Sequence, residues 1–369
     1  MIARAIVDLA AIRANAAALR ALVAPSRLAA VIKSNAYGHG LIEVGKSLAE
    51  DADRLCVYEL DEALALRAAA IRARIHVLGP IPAARLHEAL ESAIEITLWD
   101  DGAYFDEVER AARAQGDPAI VHAKIDTGVT RLGMSVAAAP AVLERYRQSG
   151  ALTLAGVFSH LAAVEEFDAA FTDMQLERFT GATRALGPEI DRHIAASAAA
   201  MLFARTRLTS VRPGIALYGL WPSAQTRGIM EERGLHLKPA LRWESELVLV
   251  HDIPADTTVG YGRTYRANSD SRIGVVPIGY ADGVPRAASN RGHVLVDGVR
   301  CPIAGRVCMN VLMIDVSDVA NAHAGMPVTL VGNDGDLQIS LDDWATWSNT
   351  INYEMAARLP VALPRTYIG

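Results

Sequence analysis

Cysteine is scarce in this chain, and aromatic residues make up only 6% of its 369 positions. The three cysteines, Cys56, Cys301 and Cys308, form no CxxC pair, and an odd number does not suit a disulfide framework. A reducing compartment, the cytoplasm, is therefore expected. Basic residues are not in excess: 36 Lys and Arg stand against 42 Asp and Glu, a net charge of -6. That balance gives no electrostatic reason to bind nucleic acid or an anionic membrane, so any anion must be held locally. No apolar run reaches transmembrane length, and Asp8, Arg13 and Arg20 interrupt the alanine-rich amino terminus too often for a signal-peptide core. No GxGxxG follows a first strand, which leaves a doubly wound nucleotide-binding sheet without its fingerprint. No metal is expected.

What is present is apolar residue in quantity, 51% of the chain, and a length that suggests two domains or one large barrel with an addition. Apolar residues at helical spacing predict a helix over 9–23, with Asp8 as its cap. A strand ending at Lys33 follows, and strand-like segments recur at 54–58, 74–78, 93–98, 119–125, 152–158, 193–195 and 211–217. Amphipathic helices fill most gaps, over 61–70, 83–91, 103–114 and 168–185. Eight strands alternating with helices in about 220 residues is the count of an α/β fold of the (β/α)8 TIM-like barrel type. Beyond 235 the helical period gives way to short alternating runs at 246–250, 273–278, 293–296, 311–315 and 327–331, separated by glycine, proline and aspartate. These predict a C-terminal all-β domain, with the barrel over 1–234 and the β domain over 235–369.

Barrel active sites lie at the carboxyl ends of the strands. The residues there are Lys33, Tyr58, Gly79, Trp99, Lys124 with Asp126, His160, Ser197 and the segment Arg212-Pro213-Gly214. Singly, each reads as a solvated strand end. Together they put a polar or glycine residue from nearly every strand on the same face.

The stretch AVIKSNAYGHG, residues 30–40, resembles the pyridoxal-phosphate (PLP) attachment motif of alanine racemases. The resemblance extends through both domains and implies a PLP-dependent isomerase that supplies D-alanine for peptidoglycan. It implies that Lys33 carries the cofactor and that Tyr37 reaches its phosphate. Burial beside other cations favours the neutral amine such attachment needs. In AKIDTGVTRLGM, the resemblance makes Arg131 the residue that holds the substrate carboxylate, a role suited to its rigid fork of donors. Lys124 in the same segment is either a carbamylated lysine or a plain buried amine. His160 in VFSHLA corresponds to the histidine that packs on the pyridine ring. Ser197 in HIAAS, with Gly214 and Ile215 in VRPGIALYG, corresponds to the phosphate site, and Arg212 to the partner of the pyridine nitrogen. In the second domain, VGYGRTY places a catalytic tyrosine at Tyr261. IGYADG places Tyr280 at the substrate entrance, GRVCMN a substrate-contacting backbone at Met309, and INYE a phosphate contact at Tyr353. The resemblance also implies a homodimer in which each barrel's site is completed by the partner's β domain.

Arginine at 212 bears on reaction type. It can only donate, so the pyridine nitrogen stays unprotonated and the ring is a weaker electron sink, which favours prompt return of the proton over transamination. Inversion needs one base on each face of Cα, in the family a tyrosine at 261 on the L face and the lysine at 33 on the D face. With an ordinary pKa of about 10, Tyr261 needs help as a base, for which neighbouring cations and His160 are candidates. Two departures stand out: Asn310 replaces a usual aspartate after the methionine, and Ala196 a common asparagine before the serine. A PLP-carrying protein without turnover would lack the β domain. A decarboxylase would be expected to carry a carboxylate in place of Arg212, and a serine or broad-range racemase is not separated by sequence.

Overall fold

The computed structural model describes residues 3–100 and 102–369, which divide into two compact units. The larger comprises Ala11–Ala36 and Leu41–Pro239. The other comprises residues 3–10, Tyr37–Gly40 and Ala240–Gly369.

The larger unit is a parallel barrel of eight strands: β1 (Arg27–Val31), β2 (Arg54–Val57), β3 (Ile75–Val77), β4 (Ile94–Leu98), β5 (Ala119–Asp126), β6 (Leu152–Phe158), β7 (Asp191–His193) and β8 (Ser210–Val211). They are ordered β8-β1-β2-β3-β4-β5-β6-β7, and the ring is nearly closed by the isolated parallel bridge Ala196↔Arg212. Helices cover the outside, so the strands are buried on both faces, as their near-continuous apolar runs require. The buried set also contains Arg54, His76, Glu95, His122, Asp191 and His193, which makes the interior polar as well as apolar.

Two strands differ from expectation. β7 ends at His193, where 193–195 was predicted, and β8 stops at Val211 instead of running to 217. Pro213 has no N–H for a ladder, and the chain turns at once into a 3-10 helix over Ile215–Tyr218. The main segment of the second unit begins at Ala240, directly after Pro239. Asn15 explains this: its amide accepts from Lys238 N–H and donates to the Lys238 carbonyl, both at 2.8 Å, fastening the tail to the barrel. Gly219, at φ +77°, permits the close approach, since a Cβ there would lie 1.9 Å from the Lys238 carbonyl oxygen.

The second unit is built on sheets. Its largest runs Val299–Pro302, His293–Val296, Pro327–Asp334, Leu241–Glu246, Ala3–Asp8 and Arg365–Ile368, with Leu337–Ile339 paired onto Pro327–Asp334. A second sheet joins Leu249–Ile253, Ser271–Val276 and Leu312–Asp315. Two short helices are added, Leu341–Ser348 and Asn352–Ala357, so the unit is not purely β. The first carries a capping box in which Ser340 and Asp343 satisfy each other's backbone N–H groups. Trp243 and Trp344 are fully buried in this unit, and the Trp344 indole donates to the Leu330 carbonyl at 2.7 Å. No helix among the described residues is long and apolar enough to cross a membrane.

Candidate active site

The candidate site of the larger unit begins where β1 runs out. Lys33 leads into a left-handed turn in which Ser34, Asn35 and Ala36 have φ of 55°, 54° and 53°. Glu62 holds this turn, accepting from Asn35 N–H at 3.0 Å and from Tyr58 N–H at 3.1 Å. The Lys33 ammonium lies 5.6 Å from the centre of the Tyr58 ring. Gly79 lets Tyr58 sit close, since a Cβ there would come within 2.5 Å of the Tyr58 carbonyl. Burial and then Arg131 push the Lys33 pKa down, with Glu62 opposing.

Asp126, the last residue of β5, organises the loop that carries Arg131. Its carboxylate accepts from the N–H groups of Gly128 (2.8 Å), Val129 (2.9 Å) and Arg131 (2.9 Å). Burial alone would raise the Asp126 pKa, but these N–H groups hold it below its ordinary value. Gly133, at φ +141°, closes the loop where a Cβ would strike Asp126 N at 2.5 Å. Lys124 is buried with its amine 4.4 Å from the Phe158 ring centre. Burial, then Arg212 and Arg131, lower its pKa to about 7. His160 is held neutral, by burial and then by Arg212, Lys124, Arg131 and Lys33. It therefore adds no positive charge to the barrel's cluster of cations. The mutual influence of Lys33, Lys124, Arg131, His160 and Arg212 shows that the barrel brings these five together.

Ser197 begins the helix Ser197–Leu202, and Gly214 directly precedes the turn at Ile215. The Ser197 hydroxyl accepts from Gly214 N–H at 3.0 Å and Ala216 N–H at 3.4 Å. Backbone donors thus converge where β7 and β8 end, as an anion site requires. The Arg212 guanidinium is pinned: Nη1 donates to His193 Nδ1 at 2.6 Å and to the His193 carbonyl at 2.7 Å, and Nη2 donates to the Ser159 carbonyl at 2.6 Å.

In the second unit, Tyr37 and Tyr353 come together with ring centroids 6.4 Å apart. Burial raises the Tyr37 hydroxyl to about 12, so it remains a donor. Tyr280 and Met309 lie on loops zipped by two bonds, Tyr280 N–H to the Cys308 carbonyl at 3.0 Å and Ala281 N–H to the Met309 carbonyl at 2.9 Å. Asn310 completes the zip, its amide donating to Asp282 at 3.3 Å. An aspartate at 310 would instead set two carboxylates against each other, so the departure at this position matches its neighbour. Tyr261 stands between Gly260 and Gly262, both at positive φ, and a Cβ on Gly262 would touch the Arg306 guanidinium at 3.0 Å. Tyr261, Tyr280 and Met309 therefore all belong to segments packed on the loop 305–310. Tyr261 is 72% exposed, Met309 57% and Tyr280 39%.

Sequence reading missed several residues that hold this arrangement. Glu62 fixes the Lys33 turn. Gln175, fully buried on the helix Ala169–Ala182, donates to Thr127 Oγ1 at 3.2 Å and to the His160 carbonyl at 3.1 Å, tying two site loops together. His193, His122 and Glu95 line up beneath Arg212. A polar residue recurring on the pleat of a core strand was the available signal for the last three.

In the barrel unit, an amine of depressed pKa among cations and backbone donors gathered at the ends of β7 and β8 form a setting that suits an anionic ligand. Fold and site together define a barrel enzyme with a cation-lined site at the carboxyl ends of its strands. The family comparisons agree with this. The model of the alanine racemase N-terminal domain matches residues 7–222, and that of the C-terminal domain matches residues 240–367. The alanine racemase of Beutenbergia cavernae is 40% identical, covering 100% of this chain and 98% of its own. That of Methanococcus maripaludis is 36% identical, covering 98% and 97%. Among solved structures, alanine racemase from D-cycloserine-producing Streptomyces lavendulae superposes with a TM-score of 0.94 at 36% identity, covering 100% of this chain and 97% of that one. Alanine racemase from Bacillus anthracis with bound L-Ala-P gives 0.92 at 33% identity, covering 100% and 95%. The chain belongs to the alanine racemase family.

Proposed function

We propose that this chain is a PLP-dependent isomerase that interconverts L- and D-alanine with one base on each face of Cα, and that it works in the cytoplasm as a homodimer with shared sites. The observation that carries the reading is the cluster of Lys33, Lys124, Arg131 and Arg212 at the barrel's carboxyl end, with arginine rather than a carboxylate at 212. Three free cysteines suit a reducing compartment.

Lys33 would hold PLP, with Tyr37, His160, Ser197, Arg212, Gly214, Ile215 and Tyr353 around it. When bound, PLP supplies an electron sink that acidifies the Cα proton of an attached amino acid. Arg131 grips the alanine carboxylate through paired N–H donors. Met309 and Tyr280 bound the substrate from the β unit. Lys33 Nζ exchanges the Cα proton on the D face and Tyr261 Oη on the L face, so a proton taken on one side and returned on the other inverts the centre. Supplying D-alanine for peptidoglycan is the role this activity implies. Incubation with PLP and each L-amino acid in deuterated water tests the reading. Alanine is expected to exchange and invert, and a protein that exchanges serine in preference, or releases carbon dioxide, would displace it.

Lys124 is proposed to carry a carbamate. Its neutral amine adds to CO2, forming an N–C bond while one N–H proton leaves to solvent, and the resulting carboxylate offsets the surrounding cations. Addition needs the neutral amine, and a pKa of about 7 leaves most of it neutral at pH 8 and protonated at pH 6. Protein equilibrated with 13C-bicarbonate should show a carbamate carbon at pH 8 that fades toward pH 6 and is missing in Lys124→Met. Absence of that carbon at pH 8 would leave Lys124 a plain buried amine.

A further inference from the structure

Beneath Arg212 the barrel interior holds a file of buried groups that the proton transfers do not use. His193 closes β7, His122 lies in the middle of β5, and Glu95 lies near the start of β4. Arg212, His193, His122 and Glu95 are each no more than 4% exposed. His193 Nε2 is 3.2 Å from His122 Nδ1, and His122 Nε2 is 2.9 Å from Glu95 Oε2. Glu95 is anchored in turn by Arg54 at 2.5 Å and Arg74 at 2.6 Å. The file thus spans the barrel from the carboxyl end of β8 to the amino ends of β2 to β4.

Its hydrogen bonds have only one consistent direction. A guanidinium has donors and no acceptor, so His193 Nδ1 must accept from Arg212 Nη1. In a neutral ring the proton is then on Nε2, which donates to His122 Nδ1. His122 carries its own proton on Nε2 and donates to Glu95. Burial first, and then neighbouring cations such as Arg212, keep His193 neutral. Burial also lowers His122, although Glu95 opposes the shift. Glu95 stays ionised at about 2: burial would raise it, but the His122 hydrogen bond and the neighbouring arginines outweigh burial. The opposite tautomer of His193 would set N–H against N–H at 2.6 Å beside Arg212.

We propose that His122 and Glu95 are positioning residues for Arg212: together they fix the His193 tautomer, so that Nη1 and Nη2 stay committed to the protein and the Nε–H is left for the pyridine nitrogen. The proposal rests on the reading of Arg212 as that nitrogen's partner. It assigns part of the restraint on side reactions to residues outside the site, because an Arg212 that loses its acceptor no longer presents a fixed donor.

The test uses the full chain labelled with 15N-histidine. Long-range 1H–15N correlation on cofactor-free protein reads each ring's tautomer without turnover. His193 is expected as the Nε2–H form in the wild type. His122→Leu removes its acceptor and should mix the His193 tautomers, while His122→Gln, which has both an acceptor and a donor, should restore the Nε2–H form. With PLP and L-alanine, pyruvate formed per racemisation should rise about tenfold in His122→Leu and return in His122→Gln. A wild-type His193 protonated at Nδ1 would overturn the direction of the file, and that measurement stands even if His122→Leu does not fold. A folded His122→Leu that keeps both the wild-type tautomer and the wild-type product ratio would overturn the positioning role. A wild-type protein that racemises nothing would refute the proposed function and leave the tautomer result intact.

Discussion

Lys33→Ala is expected to lower racemisation by about 10⁴-fold or more and to remove the visible absorbance that PLP gains on attachment to the protein. The size of the effect follows from the two tasks that the proposed function gives Lys33, holding the cofactor and serving one face of Cα. Both need a neutral amine, and the chain favours it: burial is the largest influence lowering its pKa, Arg131 adds to it, and Glu62 only partly opposes them. Glu62 has a second task. The four residues after Lys33, Ser34 to Tyr37, all have positive φ, which costs roughly 1–2 kcal/mol each for L-amino acids, and none is glycine. Local bonds offset that cost: Ala36 N–H to the Ile32 carbonyl at 2.9 Å, Asn35 N–H to Glu62 at 3.0 Å, and Leu41 N–H to the Asn35 side chain at 2.9 Å. A backbone held this firmly in a costly conformation fixes where the lysine stem begins. Borohydride reduction followed by peptide mass mapping checks the assignment. Wild-type protein should carry the reduced cofactor on the peptide containing Lys33. A folded Lys33→Ala protein that keeps the wild-type spectrum would end it.

The turn after Lys33 also marks how far the sequence could be read. The strand before it was visible because β1 is buried on both faces from Leu28 to Val31 and apolar over those residues. Strand β6 was legible to its bounds through its run of apolar residues, although Thr153 is exposed. Glu95 and His122 were hidden inside equally apolar strands, because an interior polar pair is defined by its partner across the barrel and not by its own neighbours in sequence. The strand Ala3–Asp8 was hidden differently. It pairs with Leu241–Glu246 and Arg365–Ile368, both far away along the chain, so nothing local announces it. Gln175 sits on a helix where a polar residue reads as a solvated face, yet it is fully buried between two loops. The residues proposed to touch substrate or cofactor could be named from sequence because their motifs are local. Those that hold them in place were not, because their partners are distant in sequence.

Mixing inactive Lys33→Ala subunits with inactive Tyr261→Phe subunits, under conditions that let them exchange, should restore about a quarter of wild-type activity. The two residues proposed as bases, Lys33 and Tyr261, lie in different units of the chain. Tyr261 is 72% exposed and Met309 57%, so within one chain the β unit presents an aromatic and apolar surface to solvent around the loop 305–310. Such a surface is usual where another molecule docks. If each barrel is completed by the partner's β unit, a two-fold axis makes the exchange reciprocal, and every dimer holds two composite sites. A hybrid then has one site with an intact Lys33 from one subunit and an intact Tyr261 from the other, while its second site carries both lesions. Random exchange makes about half the dimers hybrid with one working site of two, hence the quarter. Were both bases drawn from one chain, every hybrid site would still carry a lesion. Native mass spectrometry on the same mixture supplies the control, and heterodimers as inactive as their parents would rule out sharing.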